Sequence, residues 1–196
     1  SDVSTGLSLE TVPRPCISNS ITLSSGLADP NSEAYRLSAQ PRGILIEVAS
    51  EAGAFYGAQT LRKSLPVAVD GEVLSEIYMP AVVIDDFPRF GYRGMHLDIG
   101  RHMFPVEFIK EYLDIMALHN INTFHWHLTE DQGWRIEIRK YPRLTEVGSE
   151  RKETLVGSNR DRPRVYEGKP YGGSHSQAEV RPVVAYVAHR SIEVIP

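Results

Sequence analysis

The chain has 196 residues, with 21 Lys+Arg against 25 Asp+Glu, a formal net charge of −4 with the seven His neutral, and 41% hydrophobic residues. That is enough apolar material for a core, which excludes a disordered chain, and the acidic balance argues against a nucleic-acid binder, which would carry a basic face. Its apolar runs stop far short of the roughly 18 residues needed to span a bilayer, and the single Cys16 makes neither an internal disulfide nor a multi-cysteine metal site. No Asn-x-Ser/Thr acceptor occurs, and the chain opens at Ser1 with neither Met nor signal peptide, so a processed or cut product is expected.

Residues 1–34 carry Ser, Pro, Thr and Asn clusters and predict irregular structure, with one strand near Ser20–Leu23. Tyr35–Ser38 is expected to be extended. Gln40-Pro41-Arg42-Gly43 is turn chemistry, because Pro presets φ and Gly supplies a positive one. Ile44, Ile46 and Val48 then alternate with Leu45, Glu47 and Ala49, completing a hairpin with one buried face. Phe55, Ala58, Leu61 and Leu65 recur at helical spacing and predict a helix over Ala54–Ser64, stopped by Pro66. A strand is predicted at Ile77–Ile84, and Asp85-Asp86 as a solvated junction before Pro88. This half shows no chemistry of its own.

The second half alternates strand and helix. Tyr92–Ile99 predicts a strand. Pro105 opens a helix whose buried stripe is Ile109, Tyr112, Leu113 and Met116, with Asn120 closing it. Ile121–Leu128 predicts a second strand, and a charged, Pro- and Gly-rich segment runs from Thr129 to about Gly173. Ser176-x-x-Glu179 is a capping box before a helix with Val180, Val183, Val184 and Val187 on its apolar face, and Ile192–Ile195 predicts a third strand. The order β-α-β-α-β implies parallel strands with right-handed crossovers, satisfied equally by a barrel or an open doubly wound sheet.

In either fold, function belongs beyond the carboxyl ends of the strands. Asp98, Arg101 and His102 follow the first strand. Thr129, Glu130, Asp131, Gln132 and Trp134 follow the second. An arginine, two carboxylates and a tryptophan suit a sugar, since charged groups hydrogen-bond vicinal hydroxyls and an indole packs on a ring's C–H face. A surface salt-bridge cluster is the competing explanation. His125-x-His127 puts two imidazoles on one side of a strand. With Glu130 or Asp131 they could hold zinc, or they could fill a polar layer; no His-Glu-x-x-His motif or cysteine ligand supports the metal. Phe124, Trp126 and Leu128 face the other way, as core. His96, His119, His175 and His189 stand as isolated structural or exposed residues.

Taken together, Phe87-Pro88-Arg89-Phe90, Tyr92-Arg93-Gly94-Met95-His96-Leu97-Asp98, Arg101-His102 and the long stretch Phe124-His125-Trp126-His127-Leu128-Thr129-Glu130-Asp131-Gln132-Gly133-Trp134-Arg135 resemble the family-20 β-N-acetylhexosaminidases. Gly53-Ala54-Phe55-Tyr56-Gly57-Ala58-Gln59-Thr60-Leu61 is similar to that family's non-catalytic α+β domain. The resemblance covers roughly residues 35–196. It implies an α/β chain: a shortened α+β domain over residues 1–88, then over 89–196 the first three strands of a (β/α)8 TIM barrel. By motif, Arg101 matches the arginine that binds the sugar's C3 and C4 hydroxyls. Glu130 and Asp131 match a carboxylate pair, usually Asp-Asp, that supports the same subsite, so Glu130 departs by one methylene. Trp134 matches a wall of that loop.

The resemblance further implies release of terminal β-linked GlcNAc or GalNAc by a substrate-assisted retaining mechanism, without a cofactor or metal. The substrate's own 2-acetamido oxygen attacks the anomeric carbon, an Asp orients that group, and the adjacent Glu protonates the leaving oxygen. No Asp-Glu dipeptide occurs here, so no catalytic acid is assigned. Tyr92–Pro196 spans 105 residues against about 250 for a whole barrel, and a fragment, a truncated product or one piece of an assembly is expected. Pro182, inside the predicted second helix, removes a hydrogen bond at a cost of about 3 kcal/mol. Tyr171-Gly172-Gly173-Ser174-His175 departs from the aromatic pair usual after Gly-Gly. The competing function is a non-catalytic sugar-binding or self-associating remnant. Expected partners are N-acetylhexosamine-containing glycans and further copies of the chain, joined through exposed barrel edges to form a homo-oligomer, with no nucleic acid or membrane. The family suggests a periplasmic or secreted location.

Overall fold

The computed structural model describes residues 19–66 and 78–196. They fall into two compact units divided between Gly91 and Tyr92. Cys16 and Ile77 lie outside the described residues.

The first unit is a four-stranded sheet with one helix. Its elements are β1 (Ser20–Ser25), β2 (Tyr35–Gln40), β3 (Gly43–Val48), α1 (Glu51–Ser64) and β4 (Val82–Asp86), and the strand order is β1-β3-β2-β4. β1 runs parallel to β3, while β2 is antiparallel to both β3 and β4. The β2–β3 hairpin pairs Gln40 with Gly43 across Pro41-Arg42, and Gly43 has φ 152°. Tyr35, Leu37 and Ala39 alternate onto the face that buries Ile46 and Val48, and Tyr56 and Leu61 of α1 pack there.

Two expectations need correction here. The helix begins three residues before Ala54, because Ser50 caps it: its hydroxyl accepts from Ala52 N at 3.1 Å. Its buried face is also rotated, to Gly53, Tyr56, Gly57 and Leu61, and leaves Ala58 exposed. A count of apolar residues misses this because glycines make the contact. A Cβ on Gly57 would come within 2.7 Å of Ile46 Cγ2 and 3.3 Å of the Tyr35 ring. Asp85 and Asp86, expected at a solvated junction, belong to β4. Asp85 pairs with Arg36, and Asp86 accepts from the Tyr35 hydroxyl at 2.7 Å. Burial, with Asp86 beside it, pushes the Tyr35 hydroxyl up to about 12, offset in part by Thr60.

The second unit is the opening of a parallel α/β barrel. β5 (Gly94–Asp98), α2 (Val106–Leu118), β6 (Thr123–His127), α4 (Gln177–Ala188) and β11 (Glu193–Ile195) give three parallel strands in the order β11-β6-β5. Between β6 and α4 lie β7 (Thr129–Glu130), β8 (Gly133–Trp134), the single turn α3 (Arg143–Glu146), β9 (Leu155–Val156) and β10 (Val165–Tyr166). Ile109, Leu113, Met116 and Ala117 of α2 and Val183 and Val187 of α4 are buried, as are Phe124 and Trp126 of β6. Tyr112 lies 5.9 Å from the Phe124 ring. Val184, expected on the apolar stripe, is 44% exposed, because the buried line of α4 is only Val183 and Val187 wide. The capping box forms in full, and α4 runs unbroken through the exposed Pro182. Asn120 ends α2 with φ 57°. Among the described residues no helix is long and apolar enough to cross a membrane.

Candidate functional site

Because β5 and β6 are parallel and in register, Asp98 lies beside His127 and His96 beside His125. Strand alternation therefore puts these four polar side chains on the face opposite Phe124 and Trp126. The two strands end together, and the loops beyond them meet.

Arg101 is the centre of that meeting. Its main-chain N and Nη1 donate to the two oxygens of Asp98, at 3.1 and 2.7 Å. Its Nη2 lies 2.9 Å from Glu130 Oε2. Glu130 Oε2 is also 3.2 Å from His127 Nε2, and His127 Nδ1 is 3.3 Å from His96 Nε2. A polar chain thus runs Asp98–Arg101–Glu130–His127–His96. Close approach of the loops depends on Gly100, where a Cβ would sit 2.7 Å from Glu130 Cβ.

The charges agree with this geometry. Partial burial works to raise the Asp98 carboxyl, but the hydrogen bonds and charge of Arg101 outweigh it and hold the group below the usual carboxylate range. Glu130 is lowered by the Asp131 main-chain N–H and by Arg101 and His127, against desolvation. The hydrogen bond to Asp98 raises Arg101. The site at neutral pH is a fixed guanidinium between two carboxylates, with half of the arginine side chain (52%) open to solvent. Such a fork can hold two adjacent hydroxyl oxygens at once.

The other sequence candidates are placed differently. Asp131 sits exposed in the β7–β8 turn and is contacted by the Gln132 amide, not by Arg101. Register pairs Thr129 with Trp134 and Glu130 with Gly133, so Trp134 leaves the opposite face of the hairpin from Glu130. Its indole Nε1 donates to Ile136 O at 2.7 Å and its main-chain N to Gly148 O at 2.9 Å, which fix it as a half-buried wall. His96, expected to be isolated, is in the polar layer, its ring 4.6 Å from His125 and 5.4 Å from His127. The His125 and His127 rings stack with an interplanar angle of 6°. Among the described residues no group of three or more His, Cys, Asp and Glu side chains is placed to hold a metal ion.

Arg135 is the residue whose importance residue-by-residue reading misses. It is fully buried. Its Nε donates to Ile99 O and Gly100 O (3.1 and 3.2 Å), Nη1 to Ser149 O and Gly173 O (2.6 and 2.7 Å), and Nη2 to Gly100 O (2.9 Å). Burial, with the nearby Arg151 charge, pulls its pKa below the ordinary arginine value, and a guanidinium in a protein remains charged. It ties the loop bearing Arg101 to the β7–β8 hairpin and to the segment before α4. Gly133 leaves it room, since a Cβ there would lie 2.2 Å from the guanidinium. The only signal in the sequence is its position at the end of the long motif.

The Tyr171 segment, unexplained from sequence, supports the same loops. The Tyr171 hydroxyl accepts from Met103 N at 2.8 Å and lies 3.2 Å from His102 Nδ1. His175 is buried beneath Trp126, its Nε2 3.1 Å from Phe104 O.

The opening strands of a parallel α/β barrel, with an arginine and carboxylates beyond their carboxyl ends, place this polar cluster where barrel enzymes carry their chemistry. The chain belongs to glycosyl hydrolase family 20: residues 90–196 match the family's catalytic domain and residues 2–87 its domain 2. It is 51% identical over 166 residues to a beta-hexosaminidase of Porphyromonas gingivalis, covering 84% of this chain and 20% of that protein. It is 41% identical to a beta-hexosaminidase of Vibrio furnissii, covering 83% of this chain and 25% of that one. Among solved structures, it is similar to a GH20 exo beta-N-acetylglucosaminidase of Vibrio harveyi in complex with N-acetylglucosamine. There the TM-score is 0.76 at 36% identity, over 90% of this chain and 26% of that one. The chain spans about a fifth to a quarter of the length of these relatives.

Proposed function

We propose that this chain forms part of an exo-acting β-N-acetylhexosaminidase that releases terminal β-linked GlcNAc or GalNAc from glycans by substrate-assisted retention. In this reading Arg101, set by Asp98 and Glu130, holds the hydroxyls of the terminal sugar, Asp131 lies beside that subsite, Trp134 is a wall of the loop that supports it, and the acid pair lies outside these residues. The Arg101 fork between two loops is the observation that carries the reading; the named relatives support it. The test is hydrolysis of an aryl β-N-acetylglucosaminide by the full-length protein containing this chain. Turnover that disappears in Arg101→Ala while the fold persists supports it; absence of turnover on GlcNAc and GalNAc glycosides alike would sink it.

The alternative of a self-associating, sugar-binding chain applies to these 196 residues taken alone. β5 and β11 are sheet edges carrying the exposed Met95 (43%) and Ile195 (40%), and unpaired edges favour pairing with another chain. The proposed assembly is a homo-oligomer through these edges. A single monomeric mass in light scattering at micromolar concentration would refute it. A periplasmic or secreted location completes the proposal, to be checked by cell fractionation.

A further inference from the structure

The β9–β10 hairpin is rooted on segments that adjoin the site. At its foot Arg151 and Tyr171 exchange main-chain hydrogen bonds at 2.8 and 2.9 Å, and the Arg151 guanidinium lies 4.2 Å from the Tyr171 ring. Arg151 Nη1 donates to Gln132 O at 3.2 Å, next to Asp131, while the Tyr171 hydroxyl touches His102 and Met103, next to Arg101. The foot is therefore built on the same two loops that hold the candidate sugar site.

The rest of the hairpin, residues 156–170, is exposed throughout. It carries Arg160, Arg162, Arg164 and Lys169 against two carboxylates, Glu167 and, set between the arginines, Asp161. The Asp161 carboxylate is turned into its own loop, accepting from Ser158 N at 2.8 Å. Arg162 donates only to the carbonyls of Asn159 and Asp161, at 2.9 and 2.7 Å. Among the described residues none of the three arginines forms an ion pair. Four cationic side chains against two carboxylates leave residues 156–170 with a net charge of +2, in a chain of net charge −4, a local field that attracts anions. Tyr166 beside them is 46% exposed, an open ring face of the kind that packs on a sugar.

We propose that this hairpin is an accessory subsite that recognises an oxyanion, a sulfate ester or a carboxylate, on the sugar next to the one released. The inference rests on the hexosaminidase reading: the terminal sugar is held at Arg101, so a hairpin rooted on the adjoining segments meets the residue beyond it. The planar arginine fork pairs with sulfate and carboxylate oxygens in two-point contacts. A basic tip could also meet nucleic acid, but its rooting on the sugar-site loops favours the glycan.

The test uses the full-length protein and three disaccharides with terminal β-GlcNAc. One is neutral, one carries a sulfate on the second sugar, and one has a uronic acid in that place. kcat/KM is measured at low and high salt for the wild type, for Arg160→Gln/Arg162→Gln/Arg164→Gln, and for Arg160→Gln/Arg164→Gln, which keeps the Arg162 turn bonds if the triple variant misfolds. The expected result is a preference of about tenfold for one or both charged substrates at low salt, shrinking with salt and collapsing in the variants. The arm that shows the preference identifies the anion. Equal kcat/KM for charged and neutral substrates, or a preference that survives both variants, overturns the subsite while leaving the hydrolase reading intact. Wild-type protein inactive on all three overturns both. Arginine-dependent retention of a DNA duplex with no change in the substrate ratio assigns the surface to nucleic acid and also overturns the proposal.

Discussion

Arg101 Nη2 and Glu130 Oε2 meet at 2.9 Å, joining the loop after one barrel strand to the loop after the next. From the β7–β8 hairpin the Glu130 carboxylate contacts both the guanidinium and His127. Arg101 is thus aimed by two carboxylates on different strands, and its exposed edge remains free for a ligand.

That arrangement makes Arg101 difficult to replace. Lys can satisfy Asp98 or Glu130 but cannot hold both while presenting two parallel donors. In the full-length protein, Arg101→Lys should lower kcat/KM on an aryl β-N-acetylglucosaminide by about tenfold or more, with the melting temperature unchanged. A variant with normal kinetics, or one that simply unfolds, would assign Arg101 a structural role.

Arg135 should show the opposite pattern, with stability lost first. Arg135→Met removes the donors to Ile99, Gly100, Ser149 and Gly173 carbonyls at a fully buried position. At about 1 kcal/mol or more for each stranded carbonyl, a loss of roughly 3 kcal/mol or more is expected in denaturant unfolding. A loss below about 1 kcal/mol would mean that water replaces the guanidinium without cost.

His175 gives a pH dependence of definite sign. Burial lowers its pKa below the ordinary value, against the opposing pull of Glu179 and the Phe104 carbonyl. The unfolded chain therefore binds this proton first. The stability associated with neutral His175 is complete above the unfolded value of about 6.5 and is lost as pH falls from there through the depressed folded pKa. His175→Gln can still donate to Phe104 O but does not titrate. Thermal unfolding from pH 8 to pH 5 should show a flatter acid limb in this variant than in the wild type, and parallel limbs would contradict the assignment.

The 196 residues alone should hydrolyse aryl β-N-acetylglucosaminide negligibly, since they contain no Asp-Glu dipeptide. Clear turnover that follows the protein through purification, and disappears in Glu130→Gln, would show instead that Glu130 donates the proton.

Sequence patterns located most elements because their signals are local. The capping box at Ser176 and Glu179, the Pro105 start of α2, the Pro41-Arg42 turn and the alternation of Phe124 and Trp126 with the histidines each depend on neighbours a few positions away. Arg101 and Glu130 were legible as candidates for a similar reason: they follow strands, and barrel chemistry lies at strand ends.

What sequence alone determined, then, was the order of elements, the family motifs and the short list of polar residues past the strands. Tertiary structure decided which of those residues meet. The parallel register of β5 and β6 set Asp98 beside His127 and drew His96 into the polar layer. The antiparallel register of β7 and β8 separated Trp134 from Glu130. The packing of Gly53 and Gly57 turned α1 away from its apolar stripe. Arg135 became a structural hub only because chain segments distant in sequence bring four carbonyls around it. Spacing along a chain encodes periodicity, whereas partnership across strands depends on register and burial, which no single stretch of residues specifies.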